Sequence, residues 1–237
     1  MEAGTTEPGW CPLIVEPARQ AEIRTIVVDT VAAIDAWRAA AAPGARGGSD
    51  DEVDYATLRS YVAADGTVPD PDDAAGGALA AAVSALGERS APGLYGGAAR
   101  VAFAIGHLSA GEDADAAYEL IERSLLRYVG APTEQYDLIS GLVGIAVPVL
   151  QRIADGCPTP SSQPLALAIL EQLERLARPA HPGLSWFTPP ALLPAWQRAL
   201  APDGYTNLGL AHGVPGVVAV LARFVAAGVA APRARAL

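Results

Sequence analysis

The chain has no lysine. All sixteen of its basic residues are arginine, set against twenty-six acids, for a formal charge of −10 over 237 residues and a pI near 4.7. The clustered cations that sequence-independent nucleic-acid binding needs are missing, so nucleic acid is excluded as an expected partner. Cysteine is almost as scarce. Cys11 and Cys157 stand far apart and each precedes a proline. They form neither a disulfide framework nor a Cys-x-x-Cys or Cys-His pair of zinc-site type. Aromatic residues make up only 6%, so alanine, leucine and valine must fill the core. Alternating β-branched runs are rare, which argues against a sheet. No stretch reaches the roughly 18 uninterrupted apolar residues of a membrane span. The most apolar segment, from Val214 onward, is broken by Pro215, Gly216 and Arg223. Residues 1–7 carry acids where a signal peptide needs bases, and a cytoplasmic location is expected.

Apolar residues are plentiful, at 51% against 18% charged, enough for a substantial core. We read one all-α domain over residues 1–237. Residues 1–42 hold an N-terminal helix, over about 16–41. Ile23, Ile26, Val27, Val31, Ile34 and Trp37 recur on it at helical spacing, with Arg24, Asp29 and Arg38 off that face. Pro43 and Gly44 stop it. Residues 43–77 are rich in glycine and aspartate and read as an acidic loop around one short helix at 55–63.

From residue 78 to 237 two kinds of helix alternate. Segments 98–108, 142–154 and 217–227 are apolar nearly all round. Segments 113–129 and 164–177 are amphipathic, with Tyr118, Ile121, Leu125 and Tyr128 on one face of the first. A helix apolar on every side is buried on every side, and an amphipathic one covers it. The alternation predicts inner and outer helices of an α/α barrel (toroid) or a solenoid.

Each inner helix follows a glycine: Gly93-Leu94-Tyr95-Gly96-Gly97, Asp137-Leu138-Ile139-Ser140-Gly141 and Gly209-Leu210-Ala211-His212-Gly213. The first two lie 44 residues apart, one helical hairpin. The third lies 72 residues further on; an irregular stretch at 181–207, with Trp186, Phe187, Trp196 and Tyr205, accounts for the excess. Such a loop either covers a site or plugs the barrel end. Aligned on Gly97, Gly141 and Gly213, the repeats place Gly96, Ser140 and His212 at one equivalent position.

Imidazole titrates near neutral pH and can take up or give a proton, which makes His212 the candidate acid/base. Asp137 has two readings, a helix N-cap and an orienting partner for His212. His107 and His181 fit no motif and read as structural or surface residues.

GLYGG, YDLISGLVGIA, SWFTPP and GYTNLGLAHGVPGVVAVLA occur here in the order found in the lanthionine synthetase C-like (LanC-like) cyclases, and residues 90–237 resemble that family. The resemblance implies a seven-repeat α/α toroid of which about three repeats are present. It implies thioether formation, in which a Cys thiol of a precursor peptide adds to a dehydrated Ser or Thr. It assigns His212 as acid/base assisted by Asp137, at the barrel mouth. Trp186, Phe187 and Tyr95 are expected to contact the peptide. The family's zinc is held by a Cys and a later Cys-His pair beyond the LAHG motif, and nothing follows Leu237. We therefore expect a truncated chain with no metal site and no cofactor. Its partners would be a dehydrated precursor peptide and possibly a lanthipeptide dehydratase or the missing C-terminal half. Alone it should be inactive and self-associating, with Val218, Leu221 and Val225 exposed along an open flank. A non-catalytic helical peptide- or protein-binding scaffold is the alternative. A carbohydrate-active toroid ranks last, because Asp137 has no carboxylate partner at an equivalent position.

Overall fold

Alanine- and leucine-rich runs, separated by glycine, proline and aspartate, form helices along almost the whole chain. The computed structural model describes residues 13–41, 47–87, 90–109 and 111–237. Among these lie ten α-helices: α1 (Pro17–Ala40), α2 (Ser49–Ala64), α3 (Ala74–Ala85), α4 (Ala98–Leu108), α5 (Glu112–Val129), α6 (Leu142–Ala154), α7 (Ser162–Leu176), α8 (Ala195–Leu200), α9 (Val214–Ala226) and α10 (Ala231–Ala236). The one sheet among the described residues is the two-stranded antiparallel hairpin β1 (Arg178–Ala180) and β2 (Gly183–Ser185). The fold is all-α, as the composition implied. No described helix is long and apolar enough to cross a membrane.

The three glycine-led helices α4, α6 and α9 pack side by side, α4 on α6 and α6 on α9. Each carries an amphipathic or terminal helix on its outer side: α5 on α4, α7 on α6, α10 on α9. In α6, Leu142, Val143, Ile145, Ala146, Val149 and Leu150 are all at most 2% exposed. On α5 the buried face is Tyr118, Ile121, Leu125 and Val129, whereas Tyr128, expected there, is 36% exposed. The α5 helix also holds the start of α7. Glu119 accepts the Ser161 backbone N–H at 3.1 Å and hydroxyl at 2.7 Å, and Glu122 accepts the Thr159 and Ser162 hydroxyls. Anions favour a helix N-terminus. Burial nonetheless pushes the Glu122 carboxyl up, against the hydroxyl bonds that lower it.

Three expectations need correction. Over its described residues, 47–77, the acidic segment is not a loop around one short helix. Helix α2 begins at Ser49, with Asp50, Asp51 and Glu52 in its first turn, and α3 begins at Ala74. Acids that read as solvated loop sit where a helix dipole favours them. Pro43 and Gly44 lie outside the described residues.

The apolar stripe of α1 is likewise not its packing face. Ile23, Ile26 and Trp37 are exposed, and Val31 is the one buried apolar residue of that helix. The contact with α2 is polar instead. Arg38 and Glu52, both mostly buried, pair at 2.6 Å, and Asp35 takes Tyr55 Oη–H at 2.6 Å and Arg59 at 3.2 Å. Finally, Leu221 is buried rather than exposed, since α9 is covered by α6 and α10; Val218 alone of the expected flank is largely exposed.

Two predictions follow from packing. A Cβ on Gly141 would stand 2.4 Å from the Gln135 carbonyl oxygen, whereas one on Gly77, mid-helix in α3, would meet nothing within 4 Å. Gly141→Ala should therefore cost about 1–3 kcal/mol, and Gly77→Ala should add roughly 0.5–1 kcal/mol. Urea unfolding of both variants checks the pair, and equal effects would contradict it.

The second concerns Asp70, which accepts Arg59 at 2.8 Å and the Ala74 and Ala75 N–H groups at 3.0 Å each. Burial raises its pKa, but these bonds outweigh burial and hold the carboxyl below its usual value. A depressed carboxyl adds stability above its unfolded pKa of about 3.9, and loses it as pH falls through the folded value. Asp70→Asn should cost about 2 kcal/mol at neutral pH. It should also flatten the loss of stability below pH 4, read from denaturation midpoints across pH.

Candidate functional site at the glycine-led helix ends

The three glycine turns close in the same way. The first N–H of each inner helix donates back over the turn: Ala98 to Ala91 C=O at 2.8 Å, Leu142 to Gln135 C=O at 3.0 Å, and Val214 to Asn207 C=O at 2.9 Å. That carbonyl lies against the glycine. A Cβ would come within 2.3 Å of it at Gly97, 2.4 Å at Gly141 and 2.1 Å at Gly213. The three glycines have extended φ values, so close approach, not handedness, demands glycine.

Neighbouring turns are then tied to one another. Tyr95 N–H donates to Ile139 C=O, and Leu138 N–H to Ala211 C=O, each at 3.0 Å. All three turns consequently lie at one end of the inner helices. At the position of Gly144 and Gly216, α4 carries Arg100, whose guanidinium turns to Asp54 and Asp50 of α2.

This stitching brings Asp137 and His212 together. His212 Nδ1 is 2.6 Å from Asp137 Oδ2, with the imidazole half exposed and the carboxylate mostly buried. The other carboxylate oxygen, Oδ1, accepts the Ser140 N–H at 2.8 Å. Asp137 therefore caps the turn at Ser140 with one oxygen and meets the imidazole with the other, while the start of α6 receives no side-chain cap, so the helix N-cap reading is corrected. An ionised carboxylate can only accept, so Nδ1 carries the proton and Nε2 remains for chemistry.

The pair opens into a cavity of about 250 Å³, whose walls include Glu134, Tyr136, Thr188, Gln197, Tyr205 and Asn207. Its far side is the segment between α7 and α9. That segment is more ordered than an irregular loop: the hairpin is followed by a one-turn 3-10 helix (Pro190–Leu192), α8, and a bridge from Thr188 to Tyr205.

Trp186 does not face the cavity. It is 1% exposed and donates its indole N–H to Leu173 C=O at 2.9 Å. It anchors the segment to α7, and the expectation that it touches peptide is corrected. A large apolar ring with a satisfied N–H belongs in the core. Phe187 is half-buried under the Arg178 guanidinium, 4.6 Å from the ring centre, and is not among the residues lining the cavity. Tyr95 is 58% exposed on the first turn, beside the cavity rather than in its wall. His107 bonds Tyr61 Oη at 2.7 Å near the far end of α4, and His181 is exposed in the hairpin turn. Sequence reading missed Tyr136, Thr188 and Asn207. Each lies in one of the motifs quoted above: Tyr136 opens YDLISGLVGIA, Thr188 is in SWFTPP and Asn207 is in GYTNLGLAHGVPGVVAVLA.

No three His, Cys, Asp or Glu side chains gather as a metal site among the described residues. Cys157 is exposed beyond the C-terminal end of α6, away from His212, and Cys11 lies outside the described residues. His212 has one carboxylate neighbour, which is not a zinc donor set.

Comparison with known proteins agrees with this architecture. The chain is similar to nisin cyclase, with a TM-score of 0.60 at 21% identity, over 90% of this chain and 57% of that one. The chain thus spans little more than half the length of nisin cyclase, and the likeness concerns the fold. No curated protein matches it in sequence. The model of the lanthionine synthetase C-like protein family matches residues 58–229, which include all three glycine turns, Asp137 and His212. The chain belongs to the lanthionine synthetase C-like family.

Proposed function

We propose that the Asp137–His212 pair is the proton-transfer element of a lanthipeptide cyclase-type site, acting on a dehydrated precursor peptide. The 2.6 Å contact between His212 Nδ1 and Asp137, on the wall of a cavity at the glycine-led helix ends, supports this reading most directly. With Nδ1–H committed to the carboxylate, the lone pair on Nε2 acts as the base. It takes the proton of a peptide cysteine thiol. The sulfur bonds to Cβ of a dehydroalanine or dehydrobutyrine, and the C=C electron pair moves to Cα as an enolate. The imidazolium then returns its proton from Nε2 to Cα. Asp137 stays ionised throughout and stabilises the imidazolium. No atom is gained or lost, so ring formation leaves the peptide mass unchanged. Among the described residues no three His, Cys, Asp or Glu side chains gather as a metal site, and what they bring to thiol activation is His212.

The test separates the two proton transfers. An arylthiol, already ionised at neutral pH, brings no proton, so its addition needs only that an Nε2 protonated from solvent deliver that proton to Cα. It should add to a dehydroalanine peptide faster with the protein than without, read as the adduct mass. Addition of the peptide's own cysteine, read as loss of alkylatable thiol, should be much slower. His212→Ala should reduce the arylthiol rate about 100-fold or more. Asp137→Asn should also slow it while preserving the fold. The Asn oxygen can still accept Ser140 N–H, but its NH₂ then faces Nδ1 and drives the ring to the wrong tautomer. Peptide binding with no His212-dependent addition would instead support the non-catalytic scaffold.

A further inference from the structure

Three successive residues of the second turn grip the third. Leu138 N–H bonds Ala211 C=O, Asp137 bonds the His212 ring, and the Tyr136 hydroxyl lies 3.5 Å from His212 C=O. Tyr136 is 2% exposed, yet its side chain reaches the cavity wall. The same hydroxyl lies 3.1 Å from Thr188 Oγ1 and 3.4 Å from Trp186 C=O. Two of these three neighbours belong to the segment covering the cavity.

One phenol carries one proton, which limits the arrangement. The closest contact, to Thr188, is the only one in which Tyr136 can accept, because the other two neighbours are carbonyl oxygens. If Thr188 donates, the phenol proton is left for the two carbonyls, which share it in a bifurcated bond. Their longer distances, 3.4 and 3.5 Å, suit a shared proton. A donated bond from Thr188 also polarises the phenol and strengthens what it donates. Burial is the largest influence on Tyr136 and raises its pKa, so the phenol keeps its proton at working pH.

We propose that Tyr136 is a positioning residue, whose hydroxyl couples the cavity-covering segment at Trp186–Thr188 to the placement of the His212 ring. The proposal rests on the acid/base reading of His212 and adds a residue outside the Asp–His pair. In it, Asp137 sets which nitrogen of His212 carries the proton, and Tyr136 with Leu138 sets where the backbone bearing that ring sits. Thr188, itself paired with Tyr205 through two backbone bonds of 2.9 and 3.1 Å, keeps the phenol aimed. A shift of the covering segment is then felt at His212 without contact between the two side chains.

The experiment reads the imidazole directly. The chain has three histidines, so ¹⁵N-histidine labelling gives three ring systems, assigned by substitution. At alkaline pH, with the rings neutral, wild-type His212 should show one Nδ1–H tautomer. Asp137→Asn should convert it to Nε2–H. Tyr136→Phe should give a mixture, its two ring-nitrogen shifts moving toward each other. Thr188→Val should move them in the same direction, and the double variant should go no further than Tyr136→Phe alone. His107 and His181 serve as internal controls and should stay put, which distinguishes a local effect from general loosening. Unchanged His212 shifts in Tyr136→Phe would overturn the proposal, as would equal movement of all three rings. If Tyr136→Phe does not fold, Thr188→Val alone decides in the same way. If Asp137→Asn leaves the His212 tautomer unchanged, the acid/base reading itself falls, whatever Tyr136→Phe does.

Discussion

The short backbone bond that closes each glycine turn is the constraint on which the rest depends. In three places the first N–H of an inner helix reaches back to a carbonyl that leaves no room for a Cβ. Closing the turn this way fixes where each inner helix starts. The turns are then near enough for Tyr95 to bond Ile139 and Leu138 to bond Ala211. Buried backbone groups must find partners, and here they find them in the adjacent repeat. The helix ends are therefore aligned by hydrogen bonds, and the helix bodies by apolar packing of α4, α6 and α9.

A site built on such turns inherits their order. The residue just before the glycine is Gly96, Ser140 or His212, and only the last is ionisable. Its carboxylate partner comes from the preceding repeat, not from its own. Asp137 can serve because one oxygen is already committed to Ser140 N–H, which holds the other toward the imidazole. The division of labour costs the scaffold little, since a turn that needs a cap is given one whose second oxygen is free. The covering segment joins the same network through Trp186, which anchors it in the core, and through Thr188, which meets Tyr136.

The acids elsewhere follow a common rule. Asp70 meets the start of α3, Glu119 and Glu122 the start of α7, and Asp50, Asp51 and Glu52 the start of α2. In a chain with a net charge of −10, many negative charges are absorbed by helix N-termini and by arginine. For the same reason the aspartates at 50, 51 and 73 mark helix starts rather than loop.

By itself the sequence determined the helical class, the alternation of buried and covering helices, and the glycine before each inner helix. These rest on local periodicity and on steric limits within a few residues, which any window of the chain displays. It also singled out Asp137 and His212 as residue types able to move a proton. That they touch, that Trp186 is core rather than wall, that α1 meets α2 through ion pairs, and that the Tyr136 hydroxyl lies between Thr188 and the His212 carbonyl comes from packing. Those outcomes depend on groups tens of residues apart meeting within about 3 Å, a distance set by how whole helices pack and not by any periodicity along the chain.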